Sequence, residues 1–216
     1  MGKTVNHDER REIFAAAALR VIVQGGIAGL TVRAVAREAG FTTGALTHYF
    51  HSKDQLLIQA SELSGRLVRD RMVRAETTHP ALQAIRKVLA LALPLTPERR
   101  GYWRIWAGFW ERSSYDQEVS RVMRLRYDEW RDRLARLLAI AQAEGDVAPD
   151  VDIQHAAQSL VALTDGIGVQ VLLGVSRIPP ARQRAMIDLW LETLKDRGGV
   201  MELPPAAAAL RPAAAS

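Results

Sequence analysis

Apolar positions along this chain recur at three- and four-residue spacing, and strand-like alternation is almost absent, so the pattern predicts an all-α fold. Ile13, Ala16, Ala17, Arg20 and Val21 trace a first amphipathic helix that Gly25 and Gly26 stop. Thr31 precedes a short helix carrying Val32, Val35 and Ala36, which Gly40 ends, and a second short helix is expected over 43–49. Ser52-Lys53-Asp54-Gln55 has the form of a capping box, the serine accepting from an orphan N–H and the glutamine reaching back to the cap residue. A long helix therefore starts there and runs through Leu56, Leu57, Ala60, Leu63 and Leu67 to a break at 77–80. A further helix ends near Pro94 and Pro97, which cannot continue it. Val119, Met123, Tyr127, Trp130, Leu134, Leu137, Leu138 and Ala141 keep helical spacing until Gly145. Segments 153–173 and 181–194 make a last helical pair, and the Ala- and Pro-rich segment 198–216 is expected to be a disordered tail.

Bulk properties narrow the function only a little. With 216 residues, 48% apolar and 25% charged, the chain can bury a core without staples. A net charge of +5 and a pI near 10.0 favour a polyanionic partner, but the excess is spread along the chain. There is no cysteine, which removes disulfides, thiolate zinc sites and cysteine nucleophiles. The first eleven residues are polar, and no uninterrupted apolar stretch approaches the roughly 20 residues of a bilayer span, so a cytoplasmic protein without a membrane partner is expected. An enzyme is poorly supported: His7, His48, His51, His79 and His155 are scattered, and no zincin pair, serine elbow or phosphate loop is present. His48 and His51 alone do not make a metal site, so no catalytic residue, metal or cofactor is expected.

One stretch carries more. Two short helices crossing tightly need a small residue inside the first, a left-handed residue in the turn and an apolar lock on the second; Ala36, Gly40 and Leu46 supply them. Val32, Val35, Ala39, Phe41 and Tyr49 then face inward. Thr42, Thr43, Gly44, Ala45, Thr47 and His48 face outward, and their small, polar, uncharged character suits close approach to a major groove.

The run from Thr31 to Leu57, TVRAVAREAGFTTGALTHYFHSKDQLL, resembles the DNA-binding signature of the TetR family. That resemblance implies an N-terminal three-helix helix-turn-helix domain, 1–51, followed by a helical ligand-binding and dimerisation domain, 52–197. It also implies phosphate contacts from Thr31, Thr43, Tyr49 and Lys53, and base or groove contacts from Thr42, Gly44, Ala45, Thr47 and His48. Thr47 stands where many members carry a tyrosine, which bears on sequence preference rather than on binding mode.

Trp103, Trp106 and Trp110 repeat at helical spacing and put three indoles on one helix face, with Arg104, Glu111 and Arg112 on the other. Such stripes serve either as plain core or as a pocket wall. The segment 106–110 and the pair Asp165-Gly166 are similar to the C-terminal domain of choline-sensing repressors of the BetI type. On that resemblance, Trp103, Trp106, Trp110 and Tyr127 would cage a quaternary ammonium by cation–π attraction, with Asp165 as counter-charge. Gly166, Gly168 and Gly174 are expected to let the last two helices approach closely, and the family forms a homodimer through this pair. The chain is thus expected to be a regulator that binds double-stranded operator DNA as a dimer and leaves it when a small-molecule effector tilts the helix starting at Ser52. The alternative is a helical adaptor or ligand carrier that does not bind DNA.

Overall fold

In the structure, a computed structural model, residues 7–175 and 177–195 are described. The Ala/Pro segment 198–216 lies outside the described residues. Among those described there are nine helices and no strand: α1 (His7–Gly25), α2 (Val32–Ala39), α3 (Thr43–Thr47), α4 (Lys53–Thr78), α5 (Ala81–Ala92), α6 (Pro97–Ser113), α7 (Gln117–Ala143), α8 (Ile153–Leu173) and α9 (Pro180–Glu192).

The helix starts are built from local chemistry. Thr31, Thr42, Ser52 and Thr96 each accept the backbone N–H three residues on, and Asp116 and Asp152 cap α7 and α8 in the same manner. Each such cap contributes about 1 kcal/mol. Gly40 closes α2 at φ 75°, a conformation an L side chain resists. The capping box differs in one bond: Gln55 Oε1 accepts at 2.8 Å from His51 N–H, not from Ser52. Regular helix also ends earlier than periodicity implies in α3, because the N–H groups of Tyr49 and Phe50 both turn onto Leu46 O.

Two apolar clusters result. The first gathers Phe14, Ile22, Leu30, Val35, Leu46, Phe50 and Leu56, and it also takes Tyr102 and Ile105 from α6. Ile13, expected on the buried face of α1, is instead 37% exposed; the inward face is set by Phe14, Ala17, Ala18, Val21 and Ile22. The second cluster joins α5, α7, α8 and α9 through Leu89, Leu134, Leu138, Leu160, Ile187 and Leu191.

The glycines of α8 do not act as the sequence suggests. Gly168 receives the Trp103 ring, and an added Cβ would lie 2.0 Å from its Cη2. Gly174 is a left-handed C-cap at φ 67°, whereas Gly166 faces open space. By length and composition α8 is the one helix among the described residues long and apolar enough to cross a membrane, a test that a packed core helix also passes. Gln154, His155, Gln158, Ser159, Thr164, Asp165 and Gln170 interrupt it, so it is not the uninterrupted apolar stretch that the sequence was expected to lack. One side of α8 packs on α7, while Ala162, Gly166 and Leu173 remain exposed.

Candidate DNA-reading face and effector cavity

The candidate reading face begins at the caps. Thr31, Thr42, Thr43, Gly44, Thr47, His48 and Lys53 are exposed, and Ala45 and Tyr49 are half-buried. Leu46 is fully buried and anchors α3 from below, which leaves the helix's other side outward. Two hydroxyls are oriented by the chain itself. Thr42 Oγ1 accepts from Ala45 N–H at 3.2 Å, so its proton remains to be donated outward. Thr47 Oγ1 donates to Gly44 O at 3.1 Å, so it presents lone pairs. One therefore offers a donor and the other an acceptor from a single short helix.

Around Tyr49 lies an aromatic cluster that helical spacing alone does not disclose. Its ring centroid is 5.5 Å from Phe14, 5.4 Å from His48 and 5.4 Å from His7. Packing on Phe14 fixes the ring and holds the hydroxyl at the edge of the cluster. The guanidinium of Arg10 lies 4.6 Å over Phe41, and that of Arg11 lies 5.1 Å over Phe50. Positive charge from α1 is thus tied to both flanks of α3, Phe41 before it and Phe50 after it, an arrangement motif spacing within 31–57 could not reveal. The signal was the Arg10-Arg11 pair at the head of the first helix.

A cavity of about 590 Å³ opens between α4, α6, α7 and α8, and Trp103, Trp106, Trp110, Tyr127 and Asp165 all line it. The three indoles are not equivalent. Trp103 is 7% exposed, donates Nε1–H to Ala92 O at 2.8 Å and rests on Gly168, so it is core and cavity floor together. Trp110 packs edge-on to it at 5.7 Å. Trp106 is 38% exposed and stands at the cavity's edge, 6.5 Å from the Tyr127 ring. Trp130, unassigned from sequence although three residues after Tyr127, lines the same space.

Asp165 is the electrostatic centre of this wall. Tyr127 donates its hydroxyl to Oδ2 at 2.8 Å, and among the described residues no basic side chain forms an ion pair with the carboxylate. Burial pushes the Asp165 carboxyl above the ordinary range, against the downward pull of the tyrosine's hydrogen bond. Burial and the neighbouring carboxylate push the Tyr127 phenol up in turn. A negative charge half removed from water, with one donor and no counter-ion, favours a cation arriving in the cavity.

Helix α6 touches both sites. On the side away from the cavity, a Cβ added to Gly101 would lie 2.5 Å from Val23 Cγ2, and one added to Gly108 would lie 2.9 Å from Ile27 Cδ1. Arg104 Nη1 donates to Val23 O at 3.0 Å. The cavity-lining helix α6 is thus packed without slack against the end of α1, which packs directly on α2.

Comparison with known proteins agrees with both halves. Residues 14–60 match the family described as bacterial regulatory proteins, tetR family, and residues 81–196 match the BetI-type transcriptional repressor C-terminal family. The HTH-type transcriptional regulator PksA of Bacillus subtilis is 28% identical over 197 residues, spanning 90% of this chain and 94% of that protein. The HTH-type transcriptional regulator BetI of Burkholderia lata is 28% identical over 174 residues, 77% of this chain and 84% of that one. Among solved structures, a transcriptional regulator from Saccharomonospora viridis in complex with choline superposes with a TM-score of 0.76 at 27% identity, covering 86% of this chain and 96% of that one.

Proposed function

Because this chain belongs to the TetR family of bacterial regulatory proteins and carries a BetI-type C-terminal domain, it is a ligand-responsive DNA-binding regulator, and we propose that its effector is a small quaternary ammonium compound. The observation that carries the effector class is Asp165: a half-buried carboxylate, bonded among the described residues by Tyr127 alone, inside a cavity walled by Trp103, Trp106 and Trp110. A cation over indole faces gains about 0.5–2 kcal/mol, more as water is excluded. The relative solved with choline supports this class.

The reading head, 1–51, would insert α3 into the major groove. Thr42, Gly44, Ala45, Thr47 and His48 would meet base edges, and Thr31, Thr43, Tyr49 and Lys53 would meet phosphates. The sensor, 52–197, communicates through α4 and α6. An occupant wedged against Trp106 and Trp110 shifts α6, and the Gly101–Val23 contact and the Arg104 bond carry the shift into the head. Allosteric coupling, typically about 1–3 kcal/mol, would lower operator affinity by roughly 5–150-fold, and the chain would act as a repressor relieved by its effector.

A homodimer completes the account. The uncovered stripe Ala162, Gly166 and Leu173 on α8, with Leu189 72% exposed on α9, is the kind of apolar surface a two-fold partner buries, and it suits two heads reading a palindrome. The protein would act in the cytoplasm by binding alone, with no catalysis.

Calorimetric titration with choline and with betaine aldehyde tests the effector, beside footprinting of DNA flanking the gene. Heat with a cation and a protected palindrome are expected. Absence of heat from both compounds, while the footprint persists, would overturn the ammonium reading and leave the regulator intact.

A further inference from the structure

The cavity is larger than a small ammonium needs, and its two ends differ in charge. At about 30 Å³ for each water-sized group, the seven non-hydrogen atoms of choline would occupy about 200 Å³, well short of the cavity's 590 Å³. The remainder runs away from Asp165. Helices α6 and α7 form a hairpin joined across 114–116, with Trp106 opposite Tyr127. Going back along α6 from Trp106 leads to Arg99, and going forward along α7 from Tyr127 leads to Arg133; both line the cavity. At 1.5 Å per residue, Arg99 lies about 10 Å along the helix axis from Trp106.

This far end is short of negative charge. Arg99 Nη1 donates to Ala90 O at 2.5 Å, and among the described residues no carboxylate forms an ion pair with the guanidinium. The adjacent Glu98 already accepts from the Tyr102 hydroxyl. Burial first, then the positive charge of Arg71 and of Arg184, disfavours the charged form of Arg99, with Glu98 opposing. Arg133 has a partner but shares it. Its Nη1 lies 2.9 Å from Glu76 Oε1, yet both atoms are buried without completing a hydrogen bond, and the other oxygen of Glu76 serves Arg136 at 3.2 Å. One carboxylate thus answers two guanidiniums, with donors left over. Of the other acids on the wall, Glu129 is paired with Arg126, and Asp132 is exposed.

We infer that the natural effector is a zwitterion, with a quaternary ammonium at the Trp106–Tyr127–Asp165 end and a carboxylate or phosphate about 10 Å away at the Arg99–Arg133 end. The inference rests on the ammonium reading of the aromatic end and adds the acid group and its spacing. Arginine suits this role because its planar fork donates two parallel bonds to a carboxylate or phosphate and keeps its charge when partly buried.

A chain-length ruler tests it on the full-length protein. Trimethylammonio-carboxylates with polymethylene spacers of increasing length are titrated calorimetrically beside choline and alkyltrimethylammonium ions of matched length. The expected result is an affinity maximum at a spacer that separates the charges by about 10 Å, at least tenfold tighter than the matched ion without the acid. That factor equals about 1.4 kcal/mol. Arg99→Gln should bring the ratio of acid-tailed to tailless affinity close to one, and Arg99→Lys should keep part of it. The wild-type comparison decides the matter even if a variant fails to fold. Binding of choline and tailless ions with no gain from the acid at any length would overturn the zwitterion and leave the ammonium reading standing. No binding by any cation in the series would overturn both.

Discussion

The reading head and the sensor are both helical, yet they are specified in different ways. In the head, the contacts that set the helix-turn-helix are short-range: three threonine or serine caps, one left-handed glycine and a buried leucine fix α2, α3 and the start of α4 within about 25 residues of sequence. In the sensor, the decisive contacts join distant segments, such as Trp103 on Gly168, Tyr127 on Asp165, and Glu76 between Arg133 and Arg136. A locally specified unit keeps its shape for repeated docking on DNA, whereas a unit built from long-range contacts around a cavity can be reshaped by whatever fills it. Helix α6 belongs to both, with Tyr102 and Ile105 in the head's core and three indoles on the cavity.

If the head is held from beneath α3, the largest effect should come from Leu46→Ala. Truncating this fully buried side chain should cost about 3 kcal/mol in chemical denaturation and abolish DNA binding. In the sensor the corresponding change is Gly168→Ala, whose Cβ collides with Trp103; overpacking of about 2 kcal/mol and weakened cation binding should appear in melting curves and calorimetry, with the head still able to bind DNA. Independence of the two regions would be broken if Gly168→Ala abolished operator binding outright.

Asp165→Asn sharpens the contrast, because its effects on binding and stability have opposite signs. Cation affinity should fall about tenfold, while the ligand-free protein becomes more stable at neutral pH, since a carboxylate whose folded pKa is raised destabilises the fold once ionised. The wild type should accordingly lose this contribution to stability as pH rises from the ordinary carboxylate range through the raised value. Its affinity for choline should rise over the same window. The smallest expected effect is Lys53→Ala on the head. The slope of log K against log salt should shrink by about 0.9, with sequence preference unchanged, as measured by operator anisotropy.

This difference also explains what could be read from sequence. Caps, the Gly40 turn, the inward set around Leu46 and the Trp103–Trp106–Trp110 stripe show at helical spacing, because each signal spans one or two turns, whereas Tyr127 and Asp165 are reached as cavity residues only through the resemblance to BetI-type domains. The role of Gly168 was misread because a helical glycine reports only that something approaches, and the approaching group sits on a helix some 65 residues earlier. The end of α3 was misplaced because Tyr49 is apolar enough to extend the pattern while its N–H leaves the helical ladder. Arg99 and Arg133 carry no signal of their own in the sequence, since only the α6–α7 hairpin turns them toward one cavity.

The coupling of cavity to head is tested most directly by the affinity for the footprinted operator, measured by anisotropy with and without saturating choline, in the wild type and in Asp165→Asn. The wild-type affinity should fall by roughly 5–150-fold with choline, and the variant should bind DNA normally but respond weakly. Equal responses from the two proteins, or a wild type that binds choline without any change in operator affinity, would contradict that coupling.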